Sequence, residues 1–232
     1  MKRFFLFLAL TGVMGGAMAQ QQPSQIKEIL KKIEKAQSIE DNYYDTAYLI
    51  LQTQIRNGST VDRALWHSFM AEFLYSYYYQ EQYDILNRTA IVGEKPQDFK
   101  TWDIQTLVGE IIGHYRQSLE PKELLQKTDI KSYAVLMDSM RSVEYRPTLY
   151  DFLAFRALDF YRGGVDRLPI PLAPFVMNDP DYFSDNAKFI QLPISTTDSV
   201  YFQYLALTLM QDITRFHLRS SHALPLVDIT LQ

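Results

Sequence analysis

The chain has 232 residues, of which 47% are hydrophobic, 22% charged and 14% aromatic, with 9 Gly, 10 Pro and no Cys. That composition excludes a disordered tail and a collagen-like repeat, and the lack of cysteine excludes disulfides, thiolate metal sites, thiol catalysis and an acylated cysteine. With 23 basic against 27 acidic residues the net charge is −4, so there is no positive excess to suit nucleic acid or anionic lipid.

Residues 1–19 read as a cleavable signal peptide. Lys2 and Arg3 give a basic start, residues 4–14 are an apolar run of secretory length, and Ala17-Met18-Ala19 sets small residues at −3 and −1 of a cut before Gln20. Gly12, Gly15 and Gly16 interrupt the run short of the ~20 apolar residues a membrane helix needs. Removing this segment shifts the net charge from −4 to −6, because Lys2 and Arg3 go with it. No later stretch approaches a span. The mature chain 20–232 is therefore expected in the periplasm or on the cell surface of a Gram-negative bacterium, without a stable membrane span. Lacking cysteine, it must be held by apolar burial alone.

Helical periodicity dominates the mature chain. Ile26, Ile29, Leu30 and Ile33 recur among Lys27, Glu28, Lys31, Lys32 and Glu34, which predicts an amphipathic helix. Asp41-Asn42 marks the start of a second helix, whose Tyr44, Ala47, Tyr48, Leu51 and Ile55 share one face. Asn57-Gly58 closes it, since Gly tolerates the left-handed conformation just past a helix end. Ser59 or Thr60 can cap a third helix, with Asp62 in its first turn, running through Leu65, Phe69, Phe73 and Tyr77. Turns this short predict antiparallel neighbours. Residues 88–101, with Gly93, Lys95 and Pro96, form a connector, and 102–118 are helical again through Ile104, Leu107, Val108, Ile111 and Tyr115. Pro121 suits the first turn of a short helix over 122–127, and 130–142 gives another carrying Tyr133, Leu136, Met137 and Met140.

Pro147 precedes the clearest helix in the chain. Thr148 and Asp151 form a short-armed capping box, Leu149, Phe152, Leu153, Ala157 and Phe160 line the apolar side, and Gly163-Gly164 stops it. Residues 166–197 hold five of the ten prolines yet also Leu168, Ile170, Leu172, Phe175, Val176, Phe183, Phe189, Ile190 and Leu192. They are expected to be ordered but irregular, with short one-turn helices. A last helix over about 197–218 aligns Phe202, Leu205, Leu209, Ile213 and Phe216. Residues 223–232 open toward a new element and read as interrupted. The expected fold class is all-α in one domain over 20–232, truncated at its C-terminal end. It comprises a repeat-like array of antiparallel helices over 25–162, an ordered Pro-rich irregular insertion over 163–197 and a last helix over 198–218.

The titratable residues suggest little chemistry. His67, His114, His217 and His222 make no H-E-x-x-H pair, and His217 and His222 straddle a helix end, so each reads most simply as a surface or partly buried imidazole. There is no G-x-S-x-G elbow and no Gly-rich phosphate loop, although a Ser-His-Asp set assembled in space stays open. Glu40, Asp41 and Asp45 lack the dense alternation of a calcium loop, and Asp179-Pro180-Asp181 either starts a turn or binds a cation. No metal or cofactor is implied. The run Tyr75, Tyr77, Tyr78, Tyr79 and Tyr83 covers several faces of the third helix. Tyr75, Tyr78, Tyr79 and Tyr83 are the candidate partner surface, and the same run also suits a helix buried on two sides with its hydroxyls at the rim. Basic side chains are not interleaved with them, so a nucleic-acid platform is not expected.

Residues 146–161 read R-P-T-L-Y-D-F-L-A-F-R-A-L-D-F-Y, with Pro147, Thr148, Leu149, Tyr150, Asp151, Leu153, Arg156 and Ala157 as their marks. This stretch resembles the helical N-terminal region of the very large bacterial alpha-2-macroglobulin family proteins, in the form common among Bacteroidetes. Ile33-Glu34-Lys35-Ala36, residues 45–52, Phe216-His217 and Ala223-Leu224 are also similar to that region. The resemblance implies an envelope protein from a family of protease traps, whose later β-sandwich domains carry a bait segment and sometimes a Cys-Gln thioester. This chain has no Cys and no β-sandwich stretch, so neither bait nor thioester function carries over to any residue. What the resemblance implies here is a non-catalytic leading module that acts by contact with a protease or an envelope protein. Two other readings stay open: a free-standing periplasmic helical adaptor, and a small secreted hydrolase using His114 or His217 with nearby acids.

Overall fold

The computed structural model describes residues 20–39, 42–136, 143–164, 175–197, 200–220 and 223–232. Among them the chain is all-α, with no strand beyond an isolated bridge between Asp129 and Thr148. The helices are α1 (Pro23–Ile39), α2 (Tyr43–Asn57), α3 (Thr60–Gln80), α4 (Gln82–Leu86) and α5 (Ile104–Leu119). They continue with α6 (Lys122–Lys127), α7 (Leu149–Gly163), α8 (Asn186–Phe189), α9 (Phe202–His217) and α10 (Leu224–Thr230). The predicted segments 1–19 and 166–174, with Glu40, Asp41, Met137, Met140 and His222, lie outside the described residues.

Two capping boxes start the two central helices. Ser59 Oγ accepts the Asp62 N–H at 3.3 Å while Asp62 accepts the Ser59 N–H at 3.2 Å. Thr148 Oγ1 accepts the Asp151 N–H at 3.2 Å while Asp151 accepts the Thr148 N–H at 2.9 Å. Each pair satisfies backbone donors that a helix N-terminus otherwise leaves unbonded. Beyond its cap α3 is apolar nearly all round: Leu65, Trp66, Met70, Ala71 and Leu74 are all buried. A helix of that kind has to lie between neighbours. It does: α2 packs on one part of it, α5 on another, and α7 also touches it. In turn α7 contacts α5, α6 and α9, and α10 closes against α9.

Several local features differ from expectation for identifiable reasons. Gly58 is extended (φ −79°, ψ 154°), not left-handed. A side chain there would meet Gln54 O at 2.9 Å and Asp62 Cβ at 3.0 Å, so close approach, not a special φ, accounts for the glycine. The helix expected from 102 begins at Ile104, because Asp103 is its cap and accepts the Thr106 N–H at 2.7 Å. Pro121 sits just before α6, outside its first turn. The described part of the helix expected over 130–142 is a 3-10 turn over Ile130–Leu136 broken at Tyr133. Two strand-like bonds hold its start, from Ile130 N–H to Pro147 O at 3.0 Å and from Leu149 N–H to Thr128 O at 2.9 Å. The helix ending near 218 is not the last, since α10 comes after it.

The described part of the Pro-rich insertion is ordered and irregular, with one-turn helices at Pro180–Phe183 and Asn186–Phe189. Phe175, Phe189 and Leu207 form a small second core. Polar side chains of α9 fix the insertion by donating to its backbone carbonyls. Gln211 Nε2 donates to Phe189 O at 2.8 Å and to Leu192 O at 3.0 Å, and Arg215 donates to Ile190 O at 2.9 Å. No helix of the described residues is long and apolar enough to cross a membrane.

Leu153, fully buried at the centre of α7, tests this core most simply. Leu153→Asp places an unpaired charge there, and the expected cost is at least ~3 kcal/mol in urea unfolding. Unchanged unfolding would contradict the assignment of α7 to the core.

Candidate functional site

The residues that carry the 147–157 motif are spent on structure. Pro147 supplies a carbonyl to the bridge with Ile130, and Leu149, Tyr150, Leu153 and Ala157 are buried. Asp151 is 0% exposed yet accepts three kinds of donor: the Thr148 N–H, the Thr148 hydroxyl at 2.8 Å, and His217 Nε2 at 2.7 Å. An ionised carboxylate only accepts, so Nε2–H of His217 is the donor. This ties the last residue of α9 to the first turn of α7. Arg156 ties α7 to α3: its Nε donates to Ser68 Oγ at 2.9 Å, its guanidinium pairs with Glu72, and it lies 5.2 Å over the Phe69 ring. Neither the Asp151–His217 pair nor the Ser68–Arg156 bond is visible in sequence, because each joins residues from separate helices.

The candidate tyrosines do not form one surface. Tyr78 is buried and accepts a hydrogen bond from Gln82, and Tyr75 is half-buried with its ring 5.0 Å from Phe160. For these two the buried reading of the run fits the structure: Tyr75 packs on Phe160 of α7 and Tyr78 belongs to the buried core. Tyr79 and Tyr83 are 73% and 82% exposed, and Tyr83 belongs to α4, which breaks away from α3 at Glu81. Burial raises the hydroxyl pKa of Tyr115 and Tyr150, and burial, partly offset by Arg116, raises that of Tyr161 to about 12. These hydroxyls therefore stay protonated near neutral pH.

The described histidines occupy two separate places. On facing helices α3 and α5, His67 Nδ1 and His114 Nδ1 lie 2.8 Å apart. That contact requires one Nδ1–H donor and one bare acceptor, so the two rings hold opposite tautomers and share one proton between them. Burial, then Arg63, lowers the His67 pKa to about 4, and burial, then His67 and Lys95, lowers that of His114 to about 3. His217 is 1% exposed, with its Nδ1 unpartnered among the described residues. No group of three His, Asp or Glu among the described residues could hold a metal ion. Asp179 accepts the Asp181 N–H at 2.9 Å and Asp181 pairs with Lys188, so this acidic pair builds a turn.

One apolar groove has no counterpart among the sequence-based expectations. A groove of about 470 Å³ lies between the end of α7, α9, α10 and the insertion, lined by Tyr161, Met177, Phe183, Leu207, Met210 and Ile229 among others. It has no histidine in its lining. Phe183 (78% exposed) and Met177 (41% exposed) stand at its mouth. The signal for it is the apolar content of a proline-rich stretch, whose placement on α9 depends on Gln211 and Arg215. No family model matches the chain, and no curated protein or solved structure matches it.

The imidazole pair fixes a pH dependence. Both pKa values are depressed in the folded state, so the unfolded chain takes up protons first and stability is lost as pH falls below ~6.5 toward the folded values. Thermal unfolding should fall between pH 6.5 and 5, and His114→Gln should flatten that slope. Parallel slopes for the two proteins would contradict the pairing.

Proposed function

We propose that residues 20–232 form the non-catalytic leading helical module of an exported alpha-2-macroglobulin-like protease trap of the bacterial envelope, working by protein–protein contact. The observation that carries this reading is the use made of the motif over 147–157. Its cap, its buried face and its arginine all serve to hold helices together. A stretch whose polar groups are consumed in this way supports a scaffold role, and its likeness to the macroglobulin family supplies the context. The groove beside α9, with Phe183 and Met177 at its mouth, offers an apolar surface of the kind that partners cover. A repeat-like reading of the helices belongs to the same proposal. A second reading, a free-standing periplasmic adaptor, is favoured by the exposed Tyr79 and Tyr83, which lie on α3 and α4.

Genomic sequence past codon 232 separates the two: the first expects an in-frame continuation encoding β-sandwich macroglobulin domains, and an unrelated operon supports the adaptor. Where the continuation exists, the Phe183→Ser, Met177→Ser double variant should weaken binding of this chain to the continuation by at least ~10-fold. Unchanged affinity would exclude the groove as the contact.

A further inference from the structure

The first described residues are held by an acceptor set drawn from three elements. The Gln21 N–H donates to Asp62 Oδ2 at 2.9 Å, its side-chain amide donates to Gln54 Oε1 at 2.8 Å, and its side-chain carbonyl accepts from Trp66 Nε1 at 2.9 Å. The Gln20 amide donates to the Tyr133 hydroxyl. Gln22 then launches α1, its carbonyl accepting the Gln25 N–H at 2.9 Å and the Ile26 N–H at 3.2 Å. So α2, α3 and the 130–136 turn converge on two glutamines that directly follow Ala17-Met18-Ala19. On the receiving side, Asp62 is 0% exposed; its Oδ2 takes Gln21 and Ser59, and its Oδ1 is buried without a partner among the described residues. Covalent geometry keeps successive backbone nitrogens within ~3.7 Å of each other. A charge created on Gln20 N therefore lies at most ~7 Å from Asp62 Oδ2, since the next nitrogen along the chain is already bonded to that oxygen.

We propose that the chain is cut between Ala19 and Gln20 and that the Gln20 α-ammonium so exposed docks on the buried Asp62 carboxylate, pegging the start of α1 to α2 and α3. Water adds across the Ala19–Gln20 amide under an envelope signal protease: a carboxylate leaves with Ala19, and the Gln20 nitrogen becomes a three-hydrogen donor. The buried acid then gains the paired charge that a buried carboxylate needs. The docked state also opposes cyclisation of the N-terminal glutamine, which requires a bare amine to attack its own side-chain amide and expel ammonia. Here that amide is engaged with Tyr133, and a protonated amine has no lone pair to attack with. The other charged groups around the seat are Arg56 of α2 and Arg63 of α3, both exposed on the depression beside Gln20 and screened by water. The proposal rests on the export part of the proposed function and not on the macroglobulin resemblance.

The test uses the full chain, exported in a Gram-negative host, with intact mass followed by cyanate labelling of the α-amine mapped by peptide mass. The expected product begins at Gln20, retains its ammonia, and carbamylates at least ~10-fold more slowly when folded than in urea, as a pKa raised by about one unit implies. Asp62→Asn should remove most of that protection. Because Asp62 also caps α3, the variant Gln54→Leu with Trp66→Phe, which unseats Gln21 and leaves the cap intact, should lose protection as well. A mature start elsewhere or a retained leader would overturn the cut. A cyclised glutamine, equal labelling in the folded and unfolded chains, or protection untouched by both variants would overturn the docking.

Discussion

One carboxylate with no access to water holds the two halves of this molecule in register. Asp151 caps α7 through Thr148 and, with its other oxygen, holds His217 at the end of α9. A buried acid is tolerable only while its hydrogen-bond sites are filled, so local and long-range structure depend on each other at this point. If α9 drifts, Asp151 loses its partner for Oδ1; if the cap opens, His217 is left beside a disordered turn. Asp62 plays the matching part at the start of α3, where it joins the Ser59 cap to the N-terminal segment.

The capped helices set what the rest of the chain can do. With α3 enclosed by α2, α5 and α7, the aromatic side chains of 60–80 are largely consumed in the core, where Phe73, Tyr77 and Phe99 meet edge to face. Arg156 is engaged in the same way, bridging α7 to Ser68 and Glu72 across a ring face. Exposed large apolar side chains are spread over the described residues, with Met177 and Phe183 of the insertion beside the groove on α9. Most buried polar side chains of the described residues have partners within the fold, Asp62 Oδ1, Ser184 Oγ and His217 Nδ1 being the exceptions among them.

Local signals in the sequence are legible, and non-local ones are not. Ser59, Asp62, Thr148 and Asp151 announce their helices because a cap is complete within four residues. Helical periodicity places α1, α2, α5 and α9 for the same reason. Gly58 is a local case that composition does not decide: a glycine after a helix fits either a left-handed residue or the close approach of Gln54 O, and only the backbone angles tell them apart. The run Tyr75–Tyr83 suits either a partner surface or a helix buried on two sides, because one helix viewed alone cannot show that Phe160 of α7 packs on Tyr75. Residues 130–136 carry helical periodicity, yet backbone bonds to Pro147 and Leu149 outweigh it. His217 reads as a surface or partly buried imidazole five residues from His222, and only the fold brings it to an acid 66 positions away.

The dependence of α7 and α9 on a shared carboxylate is measured most directly by a double-mutant cycle in urea unfolding, pairing Asp151→Asn with His217→Phe. Groups joined through a buried hydrogen bond should couple by about 1 kcal/mol or more, the double variant being less destabilised than its singles add up to. Effects that sum to within ~0.3 kcal/mol would mean the two helices hold their places without that bond.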